Sequence, residues 1–365
     1  MGTTSRKQDK IFYSYKEGSH GTPHTTAFFE GRGMQPHPQP NWLYESDEGK
    51  LGSGEHGKKH EAQAVYTPWS YNSDGRLSDI AYQLAYFMGK PYTVNTSGSL
   101  EQHQLFHLGV DNRVLPSFSF ERGVGGTGKN TVYSGAMVNE FSFGIAQGGN
   151  GRVEFTSGGF CNKHRIVAQA FALNAAGNMS SGAFDISGEP LVNYKCCRIW
   201  IGDSANAIKA GSAQFGGDNL TGSVVEISNL IDSLTITGNN GLTGENLIRA
   251  GGCGVINNWE RGDRVFTLEI VMRKDLLNGL DTDALLRADT QKAIEIQFIG
   301  PYIAGTDPYC LILLLPVVQI ETGETEDDGS PIAGTIPFKV YQDSTGTAME
   351  AFVQSQVGTA YNATV

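Results

Sequence analysis

The segment most suggestive of chemistry is Gly123-Val124-Gly125-Gly126-Thr127-Gly128-Lys129-Asn130, a match to GxxxxGK. In a phosphate-binding loop the backbone N–H groups cradle the anion and the lysine reaches its outer oxygens. Asn130, however, stands where Ser or Thr would hold magnesium. Such a loop also opens a helix, whose N-terminus faces the phosphate. Here an alternating stretch precedes it and Thr131-Val132-Tyr133 follows, so the spacing predicts a loop between antiparallel strands. A phosphate-handling enzyme would instead bind nucleotide and lose it in Lys129→Ala.

Histidines are the second candidate. All eight precede residue 165, and three pairs have i,i+4 spacing: His20/His24, His56/His60 and His103/His107. On a helix that spacing presents two metal ligands. Gly21 and Pro23 interrupt the first pair and Gly57 the second, while in a strand His103 and His107 share one face. Structural or solvated histidines are the expectation. The five cysteines (Cys161, Cys196, Cys197, Cys253, Cys310) form no CxxC, which predicts reduced, mostly buried thiols. No GxSxG occurs. Asp327/Asp328 lie in a polar stretch where solvation leaves them ordinary acids. Arg261-Gly262-Asp263 reads as a turn, and Asn95-Thr96-Ser97 as an unused sequon. Nothing assembles an active site, so the expectation is no enzyme, no cofactor and no metal.

The elements that would position these residues are mostly strands. The chain has 365 residues, 39% hydrophobic and 18% charged, with 47 glycines. That is too apolar for a disordered chain. No apolar run approaches the roughly twenty residues of a bilayer span, so no membrane is expected, and the first residues lack the apolar region of a signal peptide. Net charge is −11, which opposes adhesion to nucleic acid. Residues 319–365 hold one basic and seven acidic side chains and supply −6 of that total.

Residues 1–65 read as an extended arm, rich in Gly, His, Pro and charge and without a sustained apolar period. Its aromatic residues predict docking against a neighbour. A helix is predicted after Ser73 and Asp74, which offer caps, with Leu77, Ile80, Ala81, Leu84 and Met88 at helical spacing and Gly89 as the stop. The period then becomes two. Leu115, Ser117, Ser119 and Glu121 fall on one side of a strand, and Phe118 and Phe120 on the other. Strands are predicted over 132–145, with Phe141, Phe143 and Ile145 on one face, and after the turn at 148–151 over 153–155. Further strands follow at 197–201, 224–237, 264–272, 293–299 and 311–320, with a short helix at 284–288 and an acidic loop at 321–330. Residues 174–188 are a boundary, dividing the chain into 1–65, a first β-rich half over 66–185 and a second over 186–365. Met137 to Phe143 faintly echoes Leu230 to Ile236, so a duplication is an open alternative.

In order along the chain stand Tyr15-Lys16-Glu17-Gly18, Gly21-Thr22-Pro23, His103 to His107, Leu115-Pro116-Ser117-Phe118-Ser119-Phe120-Glu121 and Tyr133-Ser134-Gly135-Ala136-Met137-Val138-Asn139-Glu140-Phe141-Ser142-Phe143. This pattern resembles the major tail tube proteins of long, non-contractile-tailed bacteriophages (siphovirus type). The similarity covers residues 10–165, and extends more loosely through Arg198 to Gly202 and Leu315 to Val318. It implies a mainly β protein: an antiparallel sandwich or barrel of tail-tube type with one or two flanking helices. It implies a virion protein, made in the bacterial host cytoplasm, that assembles into stacked rings forming a hollow tube for genomic DNA. One tube unit per chain gives a hexamer; two give a trimer with the same pseudo-sixfold wall. Partners would be further copies of the chain, adjacent rings, and the tail terminator, distal tail and tape measure proteins.

On that reading, contacts between subunits or rings fall to the arm (Phe12, Tyr13, Tyr15, Phe28, Phe29, Trp42, Tyr44) and to the 123–130 loop (Gly123, Gly126, Lys129). Phe118, Phe120, Phe141, Phe143 and Ile145 build the inner sheet or the core. The alternatives are another virion structural protein, such as a tail terminator or capsid decoration protein, and a secreted carbohydrate-binding sandwich. The last would want a signal peptide and an exposed aromatic platform.

Overall fold

A computed structural model of the chain describes residues 10–31, 41–46, 60–73, 75–94, 102–108, 115–123, 130–146, 151–167, 171, 188–193, 196–205, 224–243, 259–273, 289–304, 307–320, 333–357 and 361. The first strands are β1 (Lys10–Lys16), β2 (Ala27–Gly31), β3 (Asn41–Ser46) and β4 (His60–Ser73). Helix α1 (Leu77–Met88) follows, then β5 (Lys90–Val94), β6 (Gln102–Leu108), β7 (Phe118–Gly123), β8 (Asn130–Ala146), β9 (Glu154–Cys161) and β10 (Lys163–Val167). The later strands are β11 (Cys197–Gly202), β12 (Val225–Glu226), β13 (Ile231–Asn239), β14 (Leu242–Thr243), β15 (Glu260–Arg261), β16 (Val265–Arg273), β17 (Lys292–Ala304), β18 (Asp307–Ile320), β19 (Ala333–Tyr341) and β20 (Met349–Ser355). The protein is mainly β, and every strand pairing among the described residues is antiparallel.

Long β8 organises the sheet. Its first half lies between β7 and β10, and β7 continues through β1 to β2. Its second half lies between β9 and β13. From β9 the sheet runs to β4 and β3. From β13 it runs to β16, β19 and β18. There β18 branches, to β17, β11 and β12 along one edge and to β20, β6 and β5 along the other. Strands from all three sequence segments thus share one sheet, and one core cluster reaches from Tyr13 to Tyr361. The two segments that echo each other, on β8 and β13, are direct neighbours.

The expectation of an extended arm is corrected for the described part of residues 1–65. β1 and β2 form a hairpin that adds to β7. Phe12, Tyr13, Phe28 and Phe29 are at most 3% exposed. The physical reason is aromatic density. Four large rings within about twenty residues bury enough apolar area to offset the ordering of a short hairpin, although no period announces it. The 36–40 proline segment, the 284–288 helix and the 321–330 loop lie outside the described residues.

Helix α1 is buried on every side, Ser78, Asp79 and Gln83 included. Tyr82 and Tyr86 pack on Tyr13, Phe28, Phe29 and Phe118. Phe87 packs on Phe141 and Phe266 across the other side. The predicted caps are corrected. Arg76 is the N-cap residue and makes no side-chain cap bond. Ser78 N–H instead donates to Glu189 Oε2 at 2.9 Å, and Ser78 Oγ to Glu189 Oε1. A carboxylate 111 residues away does the work of a local cap. Gly89 ends the helix, its N–H donating to Ala85 O.

Tyr82 OH donates to Ser14 O at 2.6 Å in this core. Tyr82→Phe strands that carbonyl, and we expect a loss of about 1–2 kcal/mol in urea unfolding. A loss under about 0.3 kcal/mol would mean the carbonyl finds another donor.

Candidate functional site

The densest polar constellation surrounds Glu17, which follows β1 and is 3% exposed. Its Oε1 accepts from Ser119 Oγ at 2.6 Å and from Gly135 N–H at 2.9 Å. Its Oε2 accepts from Ser117 Oγ at 2.7 Å and from Gly21 N–H at 2.9 Å. Burial pushes the carboxyl up from its ordinary value, and the four hydrogen bonds pull it partly back. The carboxylate is a clasp joining the β1–β2 connection to β7 and β8. The segments that carry the family resemblance, around residues 17, 21, 117–119 and 135, meet on this one group.

Beside it, Gly135 has φ +66°, and a Cβ there would lie 3.0 Å from Asn162 Cβ and 3.2 Å from Gly21 Cα. That backbone disfavours any L side chain. Asn162 lies against His20 Nε2 and accepts from Trp259 Nε1. Burial holds His20 below the usual histidine range; Asn162 opposes that and nearby Lys163 adds to it. The clasp consists of acceptors and donors already matched to each other, so it is structural machinery, with no nucleophile or acid poised for chemistry.

Ser117, Ser119 and Glu121, the polar side of the alternation, are at most 5% exposed. Two of them serve Glu17. Glu121 accepts from Asn130 Nδ2 at 2.6 Å and Phe171 N–H at 2.9 Å. Sequence reasoning had no signal for this, because the partners stand up to 102 residues away.

The 123–130 segment joins β7 to β8, an antiparallel pair with Arg122 opposite Thr131. No helix follows it, so the phosphate-loop geometry is absent at its described flanks. Gly123 ends β7 half-buried, whereas Gly126 and Lys129 lie outside the described residues. Phe12, Tyr13, Tyr15, Phe28 and Phe29 are covered by the protein's own core. Their expected contacts with a neighbouring subunit are therefore corrected: the rings are already buried within the chain and leave little surface for a partner. Trp42 and Tyr44 lie on β3, opposite Val65 and Ala62. Phe118, Phe120, Phe141, Phe143 and Ile145 sit on β7 and β8 in the main core. His20 and His24 occupy the β1–β2 connection, and β6 places His103 and His107 opposite Gln354 and Glu350. Among the described residues no group of three His, Cys, Asp or Glu side chains could hold a metal ion, and no helix is long and apolar enough to cross a membrane.

Among the described residues, the outer face of the central sheet forms a broad surface. One face of β8, β9, β13, β16 and β19 carries Phe141, Phe143, Phe155, Ile236, Leu268 and Phe338 into the core. On the other face, register aligns a row across seven strands: Asn72, Thr156, Ser142, Thr237, Thr267, Lys339 and Gln319. Thr237 and Thr267 hydroxyls bond each other at 2.6 Å. Flanking rows bring Glu154, Gly144, Thr235 and Glu269 together, and Ser70, Glu140 and Asn239. Glu140, Glu154 and Glu269 are exposed. The cation in the first row, Lys339, sits 5.7 Å from the Tyr341 ring. A shallow depression of about 400 Å³ on this face is lined by Ser70, Glu140, Ser142, Thr156, Thr237 and Asn239. The face is hydroxyl-rich and acidic, with Val265 and Tyr341 exposed on it.

A family model described as phage tail tube protein matches residues 64–340. No curated protein matches the chain.

Proposed function

The chain belongs to the phage tail tube protein family and is a structural component of a bacteriophage tail, and from that premise we propose that its copies close into rings that stack as a hollow tube, with the hydroxyl-rich sheet face turned to the bore. The DNA of a long, non-contractile-tailed phage passes along that face. Rings of six copies, or of three if the halves are two tube units, contact adjacent rings, the tail terminator and distal tail proteins at the ends, and the tape measure protein inside. Synthesis takes place in the host cytoplasm.

The observation that carries this reading is the two-sided sheet. Its core face is fixed on α1 by aromatic packing, so its polar face is free to be a wall. DNA must slide along such a wall without being held. Carboxylates repel phosphate, and short hydroxyls offer no bidentate cation to grip it. Residues Glu140, Glu154 and Glu269 keep like charge along the path, and Lys339 is engaged by Tyr341.

Negative-stain microscopy of the purified protein at high concentration tests the assembly, with rings or tubes expected and a solitary globule sinking the reading. Glu140→Lys/Glu154→Lys/Glu269→Lys tests the wall. These side chains are exposed, so the fold should persist. We expect assembled tubes of this variant to retain duplex DNA, with a salt slope steeper by about 0.9 for each phosphate the new lysines neutralise. Unchanged DNA retention would place the wall elsewhere.

A further inference from the structure

We propose that the outer face of the β8–β9 pair binds a linear polyamine, laid along the strands with its end ammoniums on Glu140 and Glu154; the consequence for DNA rests on the reading of this face as the bore wall. Register builds a three-rung ladder there. Glu140 stands opposite Gly158, Ser142 opposite Thr156, and Gly144 opposite Glu154. These are alternate positions of both strands, so all six share one face. Each carboxylate faces a glycine, and a hydroxyl pair lies between the two.

The glycines leave room beside the carboxylates. A Cβ on Gly158 would lie 3.1 Å from Glu140 Oε1, so that carboxylate leans over the gap. A Cβ on Gly144 would meet nothing nearer than Glu154 O at 3.9 Å. The depression of about 400 Å³ lies at the Glu140 end, with Val265, 55% exposed, in its lining. Glu140 and Glu154 are exposed and make no ion pair among the described residues. Ser142 and Thr156 make no side-chain hydrogen bond among them, whereas the Thr237 hydroxyl is already bonded to Thr267.

The spacing selects the ligand. The two carboxylates are four strand residues apart along the ladder, about 13 Å, and one strand apart across it, about 5 Å. No single ion touches both, and a hard dication wants six to eight oxygens around it. An ammonium carries three donors and no acceptor, which suits a carboxylate with hydroxyls beside it. A methylene chain with ammoniums at intervals fits the whole ladder. Its ends meet the carboxylates, an inner ammonium meets Ser142 and Thr156, and its methylenes lie against Val265. An extended diamine is shorter than this span; a tetraamine covers it. One exposed ion pair contributes little, but two ends on one chain bind together. Occupied, the ladder loses two carboxylate charges per subunit, and the wall there attracts phosphate instead of repelling it.

Calorimetric titration of the full-length protein with spermine at low salt tests this, alongside negative stain. We expect one spermine per subunit with a Kd on the order of 0.1 mM. Glu140→Gln and Glu154→Gln should each weaken it at least about tenfold. Glu269→Gln removes the same charge from the same face, away from the ladder, and should change it less than about twofold. Gly144→Thr keeps every charge but fills the space beside Glu154. It should keep the parent thermal midpoint and weaken spermine about tenfold. Equal losses in all three Gln variants, or parent-like binding by Gly144→Thr, would mean diffuse attraction to an acidic face and overturn the ladder. Binding of a lysine-rich peptide where spermine fails would assign the face to a protein segment and overturn the polyamine. Tubes that bind no spermine overturn this site and leave the tube reading standing. Spermine binding by a protein that never assembles overturns the tube reading and leaves the site standing.

Discussion

Gly159→Ala is expected to cost about 4–5 kcal/mol, a large fraction of the stability of an ordinary domain. Gly159 lies in β9 between β8 and β4, opposite Val138 and Trp69. A Cβ there would stand 1.9 Å from Met137 O and 3.0 Å from Asn139 N. Both are backbone atoms, so no rotamer change relieves the clash; the strands must separate. The neighbouring backbone is held. Register shifts between Val138 and Glu140, and Asn240, fully buried, fixes that irregularity: its side chain donates to Val138 O at 3.0 Å and its backbone N–H to Asn139 O at 2.7 Å. The same Asn240 side chain donates to Phe87 O at the end of α1. Displacing β8 therefore disturbs the helix seat as well. Urea unfolding checks this, with Gly188→Ala as the control because its added Cβ meets open space. A Gly159→Ala protein within about 1 kcal/mol of the parent would mean the two strands part without cost.

Glu17→Gln, an isosteric change, is expected to lose about 2–4 kcal/mol, the cost of leaving one or two buried donors unsatisfied. Each carboxylate oxygen accepts one backbone N–H and one hydroxyl. An amide replaces one oxygen by a donor. The serine hydroxyls can rotate to accept, but a backbone N–H cannot. Whichever way the amide is turned, the N–H of Gly21 or of Gly135 faces another donor. The loss should appear in thermal and urea unfolding, and limited proteolysis should find residues 10–31 released first.

The pH dependence of the same site has a definite sign. The native carboxyl is raised above its ordinary value, so the folded state binds its proton more tightly than the unfolded state. Its contribution is fully present below the unfolded pKa and is lost as pH rises through the folded one. Parent stability should carry that downward slope above about pH 4.5, and the Gln variant should lack it. A slope identical in both proteins would show that Glu17 does not titrate in this range.

The candidate wall and the clasp differ in how far the sequence reveals them. Strand patterning located β8 and β16 within about two residues and the apolar run located the end of β18, whereas the single strand predicted over 224–237 is corrected to β12, a 3-10 turn at Ser228–Leu230 and β13; helical spacing with Gly89 located α1. These features depend on neighbours along the chain, and local sequence encodes them. The alternation around Phe118 shows the limit. It separates Ser117, Ser119 and Glu121 from Phe118 and Phe120 correctly, yet both sides are buried. Periodicity reports that two faces differ in polarity; it does not report what lies against the polar one. The seven-strand row is similar. Each Thr or Ser is legible as an outward position of its own strand, but their alignment into one band depends on register between strands as much as 247 positions apart, from Asn72 to Gln319.

The amino-acid sequence by itself determined an acidic, mainly antiparallel β protein with a helix that stops at Gly89 and a resemblance to the tail tube proteins. Only the tertiary structure decided that residues 10–31 contribute a core hairpin, that Glu189 caps a helix 111 residues before it, and that Glu17 joins Gly21, Ser117, Ser119 and Gly135. The reason is physical. Hydrophobic period and turn chemistry act over a few residues, whereas a buried polar group is satisfied by whichever donors the fold brings within about 3 Å, and chain distance leaves no trace of which those will be.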